Sequence, residues 1–155
     1  MASDSGAFLI DTNILVYAHD PRDYEKQRRA LFVLDNLVRS ERAVLSVQCL
    51  SEFFAVATRR LPEPMTAEEA LAQVERFVRA FRILDLTVQA ALEGCRGVAQ
   101  HGLSIWDALI WAVAKLNQVP YILTEDAEHG RFLEGVYFLN PFASAFDLTL
   151  IERRS

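Results

Sequence analysis

The sequence predicts an α/β fold, a three-layer α/β/α sandwich around a central parallel sheet of five strands. Two observations carry this. Short apolar runs without polar alternation, such as Phe8, Leu9, Ile10 and Ala43, Val44, Leu45, read as strands buried on both faces. Between them lie longer stretches whose apolar residues recur every three or four positions, the period of an amphipathic helix. Strands that alternate with helices are joined by right-handed crossovers, which make the strands parallel and put helices on both faces of the sheet. At 155 residues the chain forms one domain, 1–155, with no linker, repeat or low-complexity segment.

After a polar lead, Met1 to Gly6, the first strand is Phe8–Ile10, and Asp11 arrives where the run stops. Asn13 is a good N-cap for a helix through Ile14, Leu15, Val16, Tyr17 and Ala18, so the chain turns at Thr12. Glu25 to Arg39 is an amphipathic helix with Ala30, Leu31, Leu34, Leu37 and Val38 on its apolar side. A second strand, Ala43–Leu45, stops at Ser46 and leads into a helix with Val47, Leu50, Phe53, Phe54 and Ala57 as its stripe, ended by Pro62 and Pro64. Thr66 and Glu69 form a capping box for a helix that buries Leu71, Val74, Phe77, Val78 and Phe81. Ile83–Leu86 is a third strand, and Thr87 caps a helix to about Gln100. Ser104 to Leu116, the most apolar helix, reads as buried within the fold. Tyr121–Leu123 and Val136–Leu139 are the fourth and fifth strands.

The composition, 52% hydrophobic and 24% charged, is that of a globular chain, and no apolar run approaches the roughly 20 residues of a membrane span. The N-terminus lacks a secretory signal, and Cys49 and Cys95 sit in apolar helical stretches as buried thiols, so a reducing cytoplasm is expected. A net charge of -5 argues against a protein that coats nucleic acid non-specifically. Its positive charge is nearly all arginine, the residue suited to forked phosphate recognition. Arg28 with Arg29, and Arg59 with Arg60, are pairs suited to a basic rim, although each pair by itself reads first as a solvated helix face.

Asp11 and Asp126 each end an apolar strand, and right-handed crossovers bring both ends to one edge of the sheet, where open α/β sheets bind ligands. Asp107 interrupts the first turn of an apolar helix, where burying it as an ion requires a partner or a metal. Ser104 and Asp107 also have capping-box spacing, and the two readings are compatible. Glu52 falls off the apolar stripe of its helix, and periodicity alone does not select it. A haloacid-dehalogenase-type phosphatase needs an acid at Asn13. A receiver domain needs an acid pair before its first helix and a lysine after its last strand. The chain has neither pattern.

Asp11-Thr12-Asn13 after a strand, Glu52-Phe53, Asp107-Ala108-Leu109-Ile110, and Thr124-Glu125-Asp126 before His129 and Gly130 resemble the PIN-domain ribonucleases, particularly the VapC toxins of bacterial toxin–antitoxin pairs. The resemblance covers about residues 7–142 and assigns no role to 143–155. It implies that Asp11, Glu52, Asp107 and Asp126 share a pocket and hold Mg²⁺ or Mn²⁺, with Thr12, Asn13 and Thr124 bracing it. Asp11, Asp107 and Asp126 would be ligands, Glu52 a ligand or general base, and the choice of Asp126 over Glu125 or Glu128 rests on the resemblance. It further implies RNA as substrate, a small VapB-like antitoxin as partner, a homodimer, and no membrane association. Two carboxylates about 4 Å apart repel by roughly 4 kcal/mol at an effective dielectric near 20, about three pKa units, so four acids stay ionised together only around a cation. An all-oxygen set suits Mg²⁺ or Mn²⁺ and supports phosphodiester hydrolysis. The reading from another class is a catalytically inactive PIN-like binding or regulatory module. For the antitoxin, the expected groove draws on Tyr17, Tyr24, Phe32, Phe53 and Phe54, with the two phenylalanines reading equally as core.

Overall fold

The structure, a computed structural model, describes residues 6–152. Most of the predicted polar lead, at 1–5, and the last residues of the C-terminal segment, 153–155, lie outside the described residues. In chain order the elements are β1 (Phe8–Ile10), α1 (Thr12–Tyr17), α2 (Tyr24–Arg39), β2 (Ala43–Ser46), α3 (Val47–Ala57), α4 (Ala67–Ala80), β3 (Arg82–Leu84), α5 (Val88–His101), α6 (Ile105–Leu116), β4 (Tyr121–Leu123), β5 (Arg131–Leu133) and β6 (Val136–Leu139). The sheet order is β3-β2-β1-β4-β6-β5. All neighbours are parallel except the β5–β6 hairpin.

The α/β sandwich is as the sequence predicts, but the sheet has six strands rather than five. The additional one, β5, is three residues long and carries no alternation to announce it. Its hairpin turns through Glu134 (φ 46°) and Gly135 (φ 91°). Two successive positive φ values are what a two-residue type I′ turn requires, and Glu-Gly is a weaker signal for it than Asn-Gly or Asp-Gly. The third strand ends at Leu84 instead of Leu86 because β2, its partner, passes into α3 after Ser46 and leaves nothing for Asp85 to pair with.

Side-chain caps set where the helices begin. Ser46 accepts from the Cys49 amide, Thr87 from Ala90, Ser104 from Asp107, and Thr66 and Glu69 close the full capping box. The cap of α1 is Asp11, not Asn13: its carboxylate accepts the Thr12 amide at 2.7 Å. The helix therefore begins two residues earlier than the sequence predicts.

Phe8, Leu9, Ile10 and Val44 are fully buried, as are Phe53 and Trp111. Phe53 packs edge-on to Phe77 and His19, so it belongs to the core and not to a groove. Of the α4 stripe, Phe77 and Phe81 are buried while Leu71 and Val78 face solvent. Cys49 is buried but Cys95 is exposed. In the C-terminal segment Phe146 and Ile151 enter the core, and Arg42 donates to the Leu150 and Ile151 carbonyls. The described part of that segment is integral to the domain. No described helix is long and apolar enough to cross a membrane.

The α5–α6 contact is close because two glycines face it. A Cβ on Gly97 would stand 2.8 Å from the Trp111 ring, and one on Gly94 2.9 Å from Leu109. The buried Trp111 donates its indole N–H to the Leu133 carbonyl, tying α6 to the hairpin. The two ends of α6 emerge, with Ile105 and Trp106 exposed at the first turn and Leu116 at the last residue. We expect Trp111→Ala to reduce stability by about 3–5 kcal/mol through the cavity it leaves. Urea denaturation measures this, and an unchanged midpoint would show α6 to be peripheral.

Candidate active site

Register builds the site. Ile10 lies opposite Leu123 in the parallel β1–β4 pair, so the residues that follow, Asp11 and Thr124, leave the sheet side by side. The Asp11 amide donates to the Leu123 carbonyl at 2.9 Å, and the Thr124 amide to Leu139 at 2.9 Å. From β1 the chain proceeds to β2 on one side, while β4 lies on the other, so the strand order reverses between β1 and β4. That reversal opens a crevice at the carboxyl ends of the strands.

Three carboxylates from distant parts of the chain meet there. Asp11 comes from the end of β1, Asp107 from the first turn of α6, and Asp126 from the loop after β4, with one oxygen of each within 4.8 Å of the others. Thr124 Oγ1 donates to Asp11 Oδ2 at 2.7 Å and accepts from the Asp126 amide at 3.1 Å, fixing both acids to one hydroxyl. Asn13 Nδ2 donates to Asp126 Oδ2 at 3.2 Å. Thr12 Oγ1 donates to Glu52 Oε2 at 3.0 Å, and Gln48 donates to its other oxygen at 3.0 Å. Glu52 is thus bound to the Asp11 side of the site through Thr12 but is not in the trio. Glu125 turns away, accepting from Tyr17 and pairing with Lys26. His129 accepts the Asn140 amide, as a residue that braces a loop does.

The electrostatics of this arrangement are unfavourable as it stands. Burial pushes the Asp11 carboxyl from 3.8 up to about 6, with Asp107 and Asp126 adding to the rise, while the bonds from Thr124 and Thr12 oppose it. Burial also raises Asp107, helped by the charges of Asp126 and Glu52 and opposed by Ser104. Among the described residues no lysine or arginine pairs with any of the three. Asn13, in the same wall, keeps a buried Oδ1 without a hydrogen-bond partner. An all-oxygen trio without a compensating cation among the described residues has the chemistry of a hard divalent-metal site, and the residues fit Mg²⁺ or Mn²⁺.

A raised carboxyl has a defined effect on stability. Without metal, native Asp11 holds a proton between about pH 4 and 6 that the unfolded chain releases. Stability should therefore fall as pH rises through that window and level off above it, by about 3 kcal/mol in total for this group. We expect Asp11→Asn to remove this component and to be more stable than the parent at pH 7 in chelator. Parallel denaturation midpoints for the two proteins from pH 4 to 7 would show that the carboxyl is not strained by burial.

Two of the trio, Asp11 and Asp126, open into a cleft of about 390 Å³, lined with them by Thr12, Asn13 and Glu52 at one end and by Asp20, Arg22 and Arg60 toward the other, with Val16, Tyr17 and Val56 between. Sequence reasoning noted Arg60 as half of a basic pair but missed Asp20 and Arg22. Their signal was an acid two residues before an arginine, across a proline, with nothing to mark the acid as buried.

A family model for the PIN domain matches residues 8–133. The fold is similar to that of a toxin–antitoxin complex from Klebsiella pneumoniae, at 18% identity and a TM-score of 0.65, covering 88% of this chain and 98% of that one. It is also similar to VapBC2 from Rickettsia felis bound to a promoter DNA fragment, at 16% and 0.62, covering 86% and 98%. A third is VapC20 of Mycobacterium tuberculosis, described as a sarcin-ricin loop cleaving toxin, at 18% and 0.61, covering 83% and 98%. A search of curated protein sequences finds no match.

Proposed function

The chain belongs to the PIN domain family, and from that premise we propose that it is a divalent-metal-dependent endoribonuclease, the toxin of a toxin–antitoxin pair. The observation that carries the activity is the convergence of Asp11, Asp107 and Asp126 within 4.8 Å at the sheet's carboxyl edge, with no lysine or arginine among the described residues paired to them. Asp11, Asp107 and Asp126 would hold Mg²⁺ or Mn²⁺. When bound, such an ion supplies Lewis acidity toward the phosphoryl oxygen and lowers the pKa of water. Thr124 and Asn13 orient two of these carboxylates. Glu52 has both oxygens hydrogen-bonded, from Thr12 and Gln48. These two donors fix the orientation of the carboxylate, which suits it to take the proton of the attacking water.

The similarity to toxin–antitoxin complexes supports a small antitoxin as partner. Tyr24, Leu31 and Phe32 on α2 are exposed and supply apolar surface for it. Within this reading the protein is a homodimer in a reducing cytoplasm, and co-purification with such a partner tests the pairing. The decisive experiment is cleavage of a structured RNA by the purified chain. Activity should appear with Mg²⁺ or Mn²⁺ and vanish in EDTA. No activity under any metal would favour the inactive binding module.

A further inference from the structure

We propose that Arg60, braced by Arg22, forms a subsite for the RNA phosphate adjacent to the one that is cleaved. This rests on the ribonuclease reading and specifies how the same cleft holds its substrate. The cleft has opposite chemistry at its two ends: the carboxylates lie at one, and the guanidinium-bearing Arg22 and Arg60 line the other. A nucleic-acid strand carries one anion per nucleotide, so a strand with one phosphate at the acidic end presents its neighbour a nucleotide away, and a cleft of about 390 Å³ has room for that unit.

The two arginines differ in how they are held. Arg22 forks onto Asp20, its Nε at 3.0 Å from Oδ1 and its Nη2 at 2.8 Å from Oδ2. Asp20 is buried, and Arg22 holds its carboxyl below the usual range. The same Nη2 donates to the Arg60 carbonyl at 3.3 Å, so the Asp20–Arg22 pair pins the backbone that carries Arg60 just beyond the end of α3. Arg60 itself is exposed, and among the described residues no carboxylate pairs with its guanidinium. A guanidinium on a fixed stretch of backbone, unpaired and facing a shared cleft, is available to fork onto a phosphate. In a chain of net charge -5, with acids at the reaction end, such a group also gives the polyanion an attractive point of entry.

The test compares the full chain with Arg60→Ala and Arg60→Lys, each checked for an unchanged melting temperature. On an RNA of ten or more nucleotides we expect KM for Arg60→Ala to rise about tenfold with kcat within about twofold. Binding of the same RNA, followed by anisotropy in EDTA, should weaken by a similar factor, and its log–log salt slope should fall by about 1. Arg60→Lys should recover part of the affinity, because the charge returns without the fork. On a dinucleoside monophosphate, which has no adjacent phosphate, parent and variant should be equal. Unchanged RNA binding, a loss confined to kcat, or an equal loss on the dinucleotide would overturn the subsite. If the parent cleaves no RNA yet Arg60→Ala weakens binding as stated, the subsite stands and the hydrolytic reading fails. A parent that neither cleaves nor binds RNA overturns both.

Discussion

Asp11→Asn should bring RNA cleavage to background, a loss at least on the order of 10³-fold, while the protein stays folded. The substitution is nearly isosteric, and its carbonyl still accepts the Thr12 amide that starts α1. What it removes is the charge of the most buried of the three clustered acids, and with it the strongest claim of the site on a cation. Thr124→Val makes a graded companion. Thr124 holds Asp11 at 2.7 Å and the Asp126 amide at 3.1 Å through one hydroxyl, so its loss leaves all the acids present but misoriented. A drop of about 10–100-fold is expected, the range typical of residues that orient ligands. Full activity in Asp11→Asn would place the chemistry elsewhere. An inactive parent, by contrast, would return the chain to the binding-module reading.

The parts of this arrangement legible in the sequence are those set by local pattern. Unbroken apolar triplets gave β1, β2 and β4, and the acids at strand ends followed from crossover handedness, which alone brings Asp11 and Asp126 to one edge. Asp107 stood out because it interrupts an apolar helix, and the structure shows both of its readings together: its amide is capped by Ser104 while its carboxylate joins the trio. Glu52 was not legible from periodicity, because what draws it to the site is the hydroxyl of Thr12, forty residues away. The Asp20–Arg22 brace was hidden for the same reason, because the backbone it pins lies at the end of α3, 38 residues on from Arg22. The strand β5 pairs with its neighbour β6 across a two-residue turn, and it went unread because it is three residues long and Glu-Gly is a weak turn signal. The apolar stripe of α4 misled in the opposite direction. Periodicity marks a face wide enough to bury Leu71 and Val78, but α3, the main element packed against it, covers only part of it.

The products of cleavage should carry 5′-phosphate and 3′-hydroxyl ends. An RNA can be cut by its own 2′-hydroxyl, which needs groups that exchange protons near neutrality, usually histidine or lysine, and which leaves a cyclic phosphate without need of metal. The cleft offers neither residue among those that line it. His19, His101 and His129 are held by Leu15, Glu134 and Asn140, and Lys26 and Lys115 are in ion pairs. The proton acceptor we propose is instead a carboxylate, Glu52, kept in place by two donors. A water that gives its proton to Glu52 and attacks in line forms the new phosphorus–oxygen bond as the bond to the 3′ oxygen breaks, so the phosphate stays on the 5′ side. Activity should be lost in EDTA, restored by Mg²⁺ or Mn²⁺, and inhibited by Ca²⁺, whose larger, looser coordination shell holds reactants less strictly. End-labelling of the fragments before and after phosphatase reads the outcome directly. Cyclic-phosphate ends formed in chelator would overturn the carboxylate mechanism and move the search to a different part of the surface.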